Sequence, residues 1–193
     1  MSYENNGQNV NYEINEYGEI VRKDYAFRSA KKSPNEPLPT NRSVGMVYFL
    51  TCITLGIYGI VLGFNMAGET NITCEEDGKR TPGFWEALLL SIITLGIYMM
   101  VWYCKWLNRE ADYLKKYDRS AIMTGGQYLA ITFGMMAIVM VINVIVAMSG
   151  IYAISYINTI IEVVFGIWVL GRILAQHNAV NKLYNLRHFP SKG

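Results

Sequence analysis

Leu50-Thr-Cys-Ile-Thr-Leu-Gly-Ile-Tyr58 and Leu90-Ser-Ile-Ile-Thr-Leu-Gly-Ile-Tyr98 are two copies of one segment, forty residues apart, each inside a long apolar run. The shared Thr-Leu-Gly-Ile-Tyr is extended by Leu50, Ile53 and Val61, which recur as Leu90, Ile93 and Val101, with Ser91 in place of Thr51. Self-similarity at a fixed spacing marks a repeated structural unit. A hydrocarbon core about 30 Å thick takes about 20 apolar residues of helix, and residues 44–64, 84–104, 128–148 and 151–174 meet that length. The pattern predicts an all-α integral membrane protein: a flexible tail over 1–42, four transmembrane helices with short connections within 43–187, and a tail over 188–193.

The 193 residues are 52% hydrophobic and 17% charged, below the roughly 25% charged of soluble domains. A net charge of +2 gives no footprint for nucleic acid. With four spans, Lys and Arg divide fifteen to two between the sides, the two being Lys79 and Arg80 in the first loop. The excess of basic residues on the cytoplasmic side of membrane proteins then puts both termini in the cytoplasm of a multi-pass cell-membrane protein. No cleavable signal peptide is visible, so the first span is expected to act as the insertion signal. Cys52 and Cys104 fall within spans and Cys74 in the outer loop, which predicts no disulfide, metal or other cofactor.

Pro34, Pro37 and Pro39 mark the tail as extended chain, although the alternation in Val10–Ile14 and Glu19–Arg22 suits a hairpin. Loop 65–83 carries Glu69, Glu75, Glu76 and Asp77 and reads as solvated, because the order of these carboxylates is not that of a calcium-binding EF-hand loop. Asn71-Ile-Thr73 fits a glycosylation sequon. Leu107, Ala111, Leu114 and Tyr117 recur at helical spacing, as do Ala179, Leu183 and Leu186. Two helix extensions with apolar faces are therefore expected to emerge on the same side and pack together. Ser149-Gly150 alone separates the last two spans, which forces a tight antiparallel hairpin.

The repeat residues Thr54, Gly56, Tyr58, Thr94, Gly96 and Tyr98 are candidate site residues. On continuous helices Thr51, Thr54, Tyr58 and Asn65 share a face, and Ser91, Thr94, Tyr98 and Lys105 copy it. Two successive spans would run antiparallel, the arrangement of an inverted repeat, with either a central polar pathway or helix packing as its use. Gly56 and Gly96 are expected at close helix contacts, and Gly59–Gly63 is a GxxxG pattern suited to contact within the chain or across a dimer. Glu162 lies mid-span, one turn from Asn158 and near the depth of Asn143 across the hairpin. That cluster either binds a cation, proton or substrate, or locks the hairpin through a protonated carboxyl. No phosphate-cradling glycine loop, HExxH or CxxC is present, and His177 and His188 fall in the C-terminal extension, so no catalytic residue is assigned.

The paired motif, with Trp102 after its second copy, Asn108 beyond it, a Gly-Gly-Gln-Tyr entry at 125–128 and a looser Gln–Asn exit at 176–181, resembles the bacterial membrane family catalogued as domain of unknown function 4234. The resemblance covers roughly 43–181 and implies a multi-span domain without an assigned activity. Leu62 stands where the second copy has Trp102. The leading expectation is a non-enzymatic scaffold or accessory subunit in the lipid bilayer, meeting a protein partner through its tail or helix extensions. The alternative is a small transporter or ion-conducting protein, as a homodimer, using the inverted repeat and Glu162.

Overall fold

The structure, a computed structural model, describes residues 12–14, 20–22, 36–151 and 153–189. They fall in two compact units, 1–35 and 36–193. In the first, β1 (Tyr12–Ile14) pairs antiparallel with β2 (Ile20–Arg22), Tyr12 opposite Arg22, as the alternation predicts. The remainder of the expected flexible tail before residue 36 lies outside the described residues.

The second unit is all helical: α1 (Val44–Ile53), α2 (Ile57–Thr73), α3 (Phe84–Ile93), α4 (Ile97–Lys116), α5 (Gly125–Ser149) and α6 (Ala153–His188), with a 3-10 turn at Glu75–Asp77. The expected unbroken helices over 44–64 and 84–104 do not form, because each stops inside its pentapeptide. Leu55 and Gly56 take φ of 50° and 94°, and Leu95 and Gly96 take 52° and 90°. Two consecutive left-handed residues end a helix and turn the chain. Gly56 N–H donates to Thr51 O at 2.8 Å and Gly96 N–H to Ser91 O at 2.7 Å, the six-residue bond that closes a Schellman motif. Thr54 Oγ1 then donates to Leu50 O at 2.7 Å and accepts Tyr58 N–H at 2.9 Å. One hydroxyl thus closes the first helix and opens the second, and Thr94 repeats it with Leu90 and Tyr98.

Each copy is therefore a helical hairpin. Gly59 of α2 lies against α1, where an added Cβ would sit 3.3 Å from Thr51 Cγ2, and Arg42, just before α1, grips Glu69 near the far end of α2. In the second copy, Phe84 at the start of α3 packs on Trp102 of α4, ring centroids 5.5 Å apart. The two hairpins open toward the same end of the unit rather than forming the expected inverted pair. Leu55 and Leu95 are the tips, 93% and 94% exposed. Gly56 and Gly96 are not at helix contacts, since a Cβ on either would meet nothing within 4 Å; their role is the positive φ. Gly59–Gly63 does serve contact within the chain, against Thr51 and Phe84.

The core sits at the open end, where Val47, Leu62, Met66, Trp102, Trp106 and Leu174 join. Leu62 and Trp102 occupy that same core, so the mismatch between the copies is one of size within a shared apolar position. The extensions pack as expected, Tyr113 and Leu114 of α4 against Val180 of α6. A capping box, with Gln127 N–H donating to Thr124 Oγ1 and Thr124 N–H to Gln127 Oε1, starts α5. Gly150, at φ 69°, turns the chain from α5 toward α6. Both are long and apolar enough to cross a membrane; α5 alone reaches about 37 Å, against about 15 Å for the ten-residue arms α1 and α3.

Gly125 is where α5 meets α4. Its N–H donates to Asn108 Oδ1 at 2.8 Å, and a methyl there would fall inside the Cys104 carbonyl. Gly125→Ala is expected to lower stability in detergent by about 1–3 kcal/mol. Gly126→Ala, whose Cβ would meet only Thr124 Oγ1 at 4.0 Å, serves as the control; thermal unfolding with equal losses at the two sites would refute this packing.

Candidate functional site

The open end of the unit holds a buried ionic bridge that the motif reading did not assign. His177 of α6 lies fully buried between two carboxylates, Nδ1 at 2.6 Å from Glu110 Oε1 and Nε2 at 2.9 Å from Glu69 Oε2. With both ring nitrogens facing carboxylates, the ring is an imidazolium donating on both sides. Arg42 closes the far side of Glu69 with two bonds, 2.5 and 2.9 Å. Two cations thus neutralise two buried anions, which is the condition for keeping such charges away from water.

Hydrogen bonds extend this bridge into every element around it. Trp106 Nε1 donates to Thr70 Oγ1 at 2.7 Å, and Thr70 donates onward to Glu110 Oε1 at 2.9 Å. Asn181 donates to Glu69 Oε2 and to Pro39 O, from one Nδ2. Asn178 and Asn185, on the same face of α6, each pair with the backbone of 38–42 through both amide atoms. Gln176 accepts the N–H groups of Ile122 and Met123 and donates to Leu107 O. The Gln–Asn segment 176–181 is thus the clasp of the fold.

Beside it Arg109 gathers the loop after α2. Its guanidinium bonds both Asp77 oxygens (2.7 and 2.9 Å), Asn71 Oδ1 (2.6 Å), Thr81 Oγ1 (2.9 Å) and the carbonyls of Cys74 and Lys79. Loop 65–83 is accordingly not separate from the helix extensions, although Glu75, Glu76 and Asp77 lie exposed as the solvated reading expected. Glu69 is a buried part of α2, and the sequon residue Asn71 is taken up by Arg109 and by Thr81, whose N–H it accepts at 2.7 Å. Lys116 and Arg187 both reach Glu76. The loop, the ends of α4 and α6 and segment 38–42 therefore form one polar platform.

The expected mid-span cluster is only partly assembled. Asn158 Nδ2 donates to Glu162 Oε1 at 2.9 Å. Asn143 makes no side-chain hydrogen bond among the described residues but lines the same outward-facing groove as Glu162, of about 690 Å³. Asn158 is buried, whereas Asn143 and Glu162 are exposed on apolar helices. The repeat residues Thr54, Gly56, Tyr58, Thr94, Gly96 and Tyr98 build the turns at the tips instead of a polar pathway. Glu69, Glu110 and His177 are far apart in sequence and joined only by the hairpins; the signal that points to them is a glutamate beyond each pentapeptide, the two one residue out of the forty-residue register, with His177 and Asn181 one helical turn apart.

The charges set a pH dependence. For Glu69, burial pushes the carboxyl up, but the hydrogen bonds and charges of His177 and Arg42 outweigh it and bring it down from 4.5 to about 2. For His177, burial opposes the charged ring, and Glu110 and Glu69 outweigh it, so its pKa lies above 6.5. The Glu69 contribution is complete above pH about 4.5 and lost as pH falls through about 2. The His177 contribution is complete below pH about 6.5 and lost as pH rises through its raised value. Thermal unfolding against pH should peak between these limits. His177→Ala, which leaves two carboxylates facing each other, should cost about 3–5 kcal/mol near neutral pH and abolish the alkaline decline. An unchanged alkaline limb in that variant would refute the imidazolium.

The family model described as Domain of unknown function (DUF4234) matches residues 42–84 and 82–169, which takes in both hairpins, α5 and the apolar half of α6. Comparison with curated proteins gave no match, and comparison with solved structures gave none.

Proposed function

This chain belongs to the Domain of unknown function (DUF4234) family, and from that membership and the geometry above we propose that it is a non-enzymatic membrane scaffold. In this reading α5 and α6 cross the bilayer as a two-span anchor, while the α1–α2 and α3–α4 hairpins enter one leaflet from the cytoplasmic side and return. The polar platform is then the cytoplasmic surface that meets a protein partner. The observation that carries the reading is the pair of left-handed breaks, which return each apolar arm to its own side after about 15 Å, half the hydrocarbon thickness. Exposed apolar tips at Ile53, Leu55, Ile93 and Leu95 suit immersion in acyl chains. Every Lys and Arg from Arg42 to Arg187 then lies on one side, a stricter form of the charge rule than the fifteen-to-two division of a four-span chain. The position of Glu162 on an outward groove argues against a transport pathway through the interior of one copy.

The sidedness of the first loop separates this topology from four spans. In a background with Cys52, Cys74 and Cys104 replaced by Ala, single cysteines at Lys79, Arg119 and Ser149 are labelled with an impermeant thiol reagent in intact cells and in inverted vesicles. Lys79→Cys and Arg119→Cys should react together in inverted vesicles only, and Ser149→Cys in intact cells only. Labelling of Lys79→Cys from the same side as Ser149→Cys would sink the leaflet hairpins and restore four spans.

A further inference from the structure

Glu162 is the one acidic residue of α5 and α6, and among the described residues only Asn158 of its own helix bonds to it. It sits twelve residues past Gly150 and ten before Arg172, hence near mid-bilayer if α5 and α6 cross. A carboxyl at that depth is not left facing acyl chains. Three further observations describe what covers it. The distal halves of α5 and α6 are almost wholly uncovered, and along α5 the groove-lining residues Thr132, Met136, Val139 and Asn143 repeat at spacings of four and three, the pattern of a helix seam awaiting another helix. Asn143 is the one amide in that seam and has no side-chain hydrogen bond among the described residues. A Cβ on Gly166, one turn beyond Glu162 on the same face, would meet nothing within 4 Å, so a second backbone has room to approach closely.

We propose that this groove seats α5 of a second copy of the chain, in a two-fold dimer where Glu162 of each copy hydrogen-bonds Asn143 of the other. The groove contains both halves of the bond, a carboxyl from α6 and an unpartnered amide from α5, and this self-complementarity points to a second copy rather than an unrelated helix. A two-fold axis along the bilayer normal satisfies both pairs at once. In that arrangement Asn143 of one copy stands about one helical turn in depth from Glu162 of the other, about 5 Å, within reach of the two side chains together. An amide serves a carboxyl in either protonation state, donating through nitrogen or accepting through oxygen. A single polar pair in an apolar seam also fixes register, as a buried Asn does in coiled coils. The proposal rests on reading α5 and α6 as membrane-crossing.

The test uses the full chain, dye-labelled at its C-terminus with donor or acceptor, in vesicles of phosphatidylethanolamine and phosphatidylglycerol, with energy transfer followed as lipid is added. Wild type should dissociate along a dimer isotherm. Glu162→Ala and Asn143→Ala should each weaken the dimer on the order of tenfold or more, and Glu162→Gln, which keeps a hydrogen-bonding group of the same size, should stay within about threefold. Val139→Trp, filling the groove, should abolish transfer while thermal unfolding of the platform is unchanged. A wild type that remains monomeric, a dimer indifferent to Val139→Trp, or a different protein found stoichiometrically in the groove would each overturn the proposal. Thiol labelling of Lys79→Cys and Ser149→Cys in the same vesicles reports the membrane reading separately: Ser149 and Lys79 on one side defeats that reading, whereas correct sidedness with a monomer defeats only the dimer.

Discussion

Two successive left-handed residues in each pentapeptide are the constraint from which the remaining architecture follows. A straight helix over 44–64 would carry the chain across a bilayer and leave the segment after it on the opposite side. The reversal at Leu55-Gly56 instead returns α2 alongside α1, and the reversal at Leu95-Gly96 does the same for α4. Only because both arms return do Glu69 and Glu110 arrive at one level, where a single histidine on α6 spans the gap between them. The turn geometry thus decides which charges can meet, and the charges then hold the turn-built hairpins together.

Leucine is an unfavourable residue for such a turn. A left-handed conformation costs a residue with a Cβ roughly 1–2 kcal/mol, and glycine or asparagine would serve the backbone more cheaply. That both copies nonetheless place Leu at the first left-handed position, almost fully exposed at the hairpin tip, is explained if the tip must be apolar. Strain retained in duplicate at an exposed position belongs with a requirement imposed by the surroundings, and the acyl chains of the proposed topology would impose that one. The following position, where no side chain is needed, is Gly56 or Gly96.

The length and hydropathy of α5 and α6 were legible in the chain, as were the tight turn at Ser149-Gly150 and the apolar faces of the two extensions, because each depends on local periodicity. The pentapeptide was legible as a repeat but not as a break: Thr-Leu-Gly-Ile-Tyr contains one glycine, and hydropathy is indifferent to whether an apolar run is straight or doubled back. Reading both runs as straight separates loop 65–83 from the helix extensions it packs with and makes Glu69 look as solvated as Glu75, Glu76 and Asp77, which are exposed. His177 was invisible for the same reason, since its partners Glu69 and Glu110 lie 108 and 67 residues away and come together only through the hairpins. The resemblance motifs gained a physical meaning in the same step, with Asn108 accepting Gly125 N–H, Gln127 completing a capping box and Gln176 pinning the loop before α5.

Three glutamates in this chain illustrate how one side chain is managed under different dielectric conditions. Glu69 is answered by Arg42, His177 and Asn181, and Glu110 by His177 and Thr70, all within the chain. Their charges are cancelled locally, although Glu110 Oε2 and Asn181 Oδ1 are buried without a hydrogen-bond partner among the described residues. Glu162 has one amide from its own helix and otherwise an open groove. In water that arrangement would be unremarked, but on the longest apolar helices of the chain it is an unfinished site. The chain has sufficient polar residues to complete its own ionic core, as α6 demonstrates below Arg172, and above that point it leaves a carboxyl and an amide facing outward on adjacent helices. If α5 and α6 cross a bilayer as proposed, their distal half is the part whose chemistry another molecule completes, while the charges of the platform are answered within the fold.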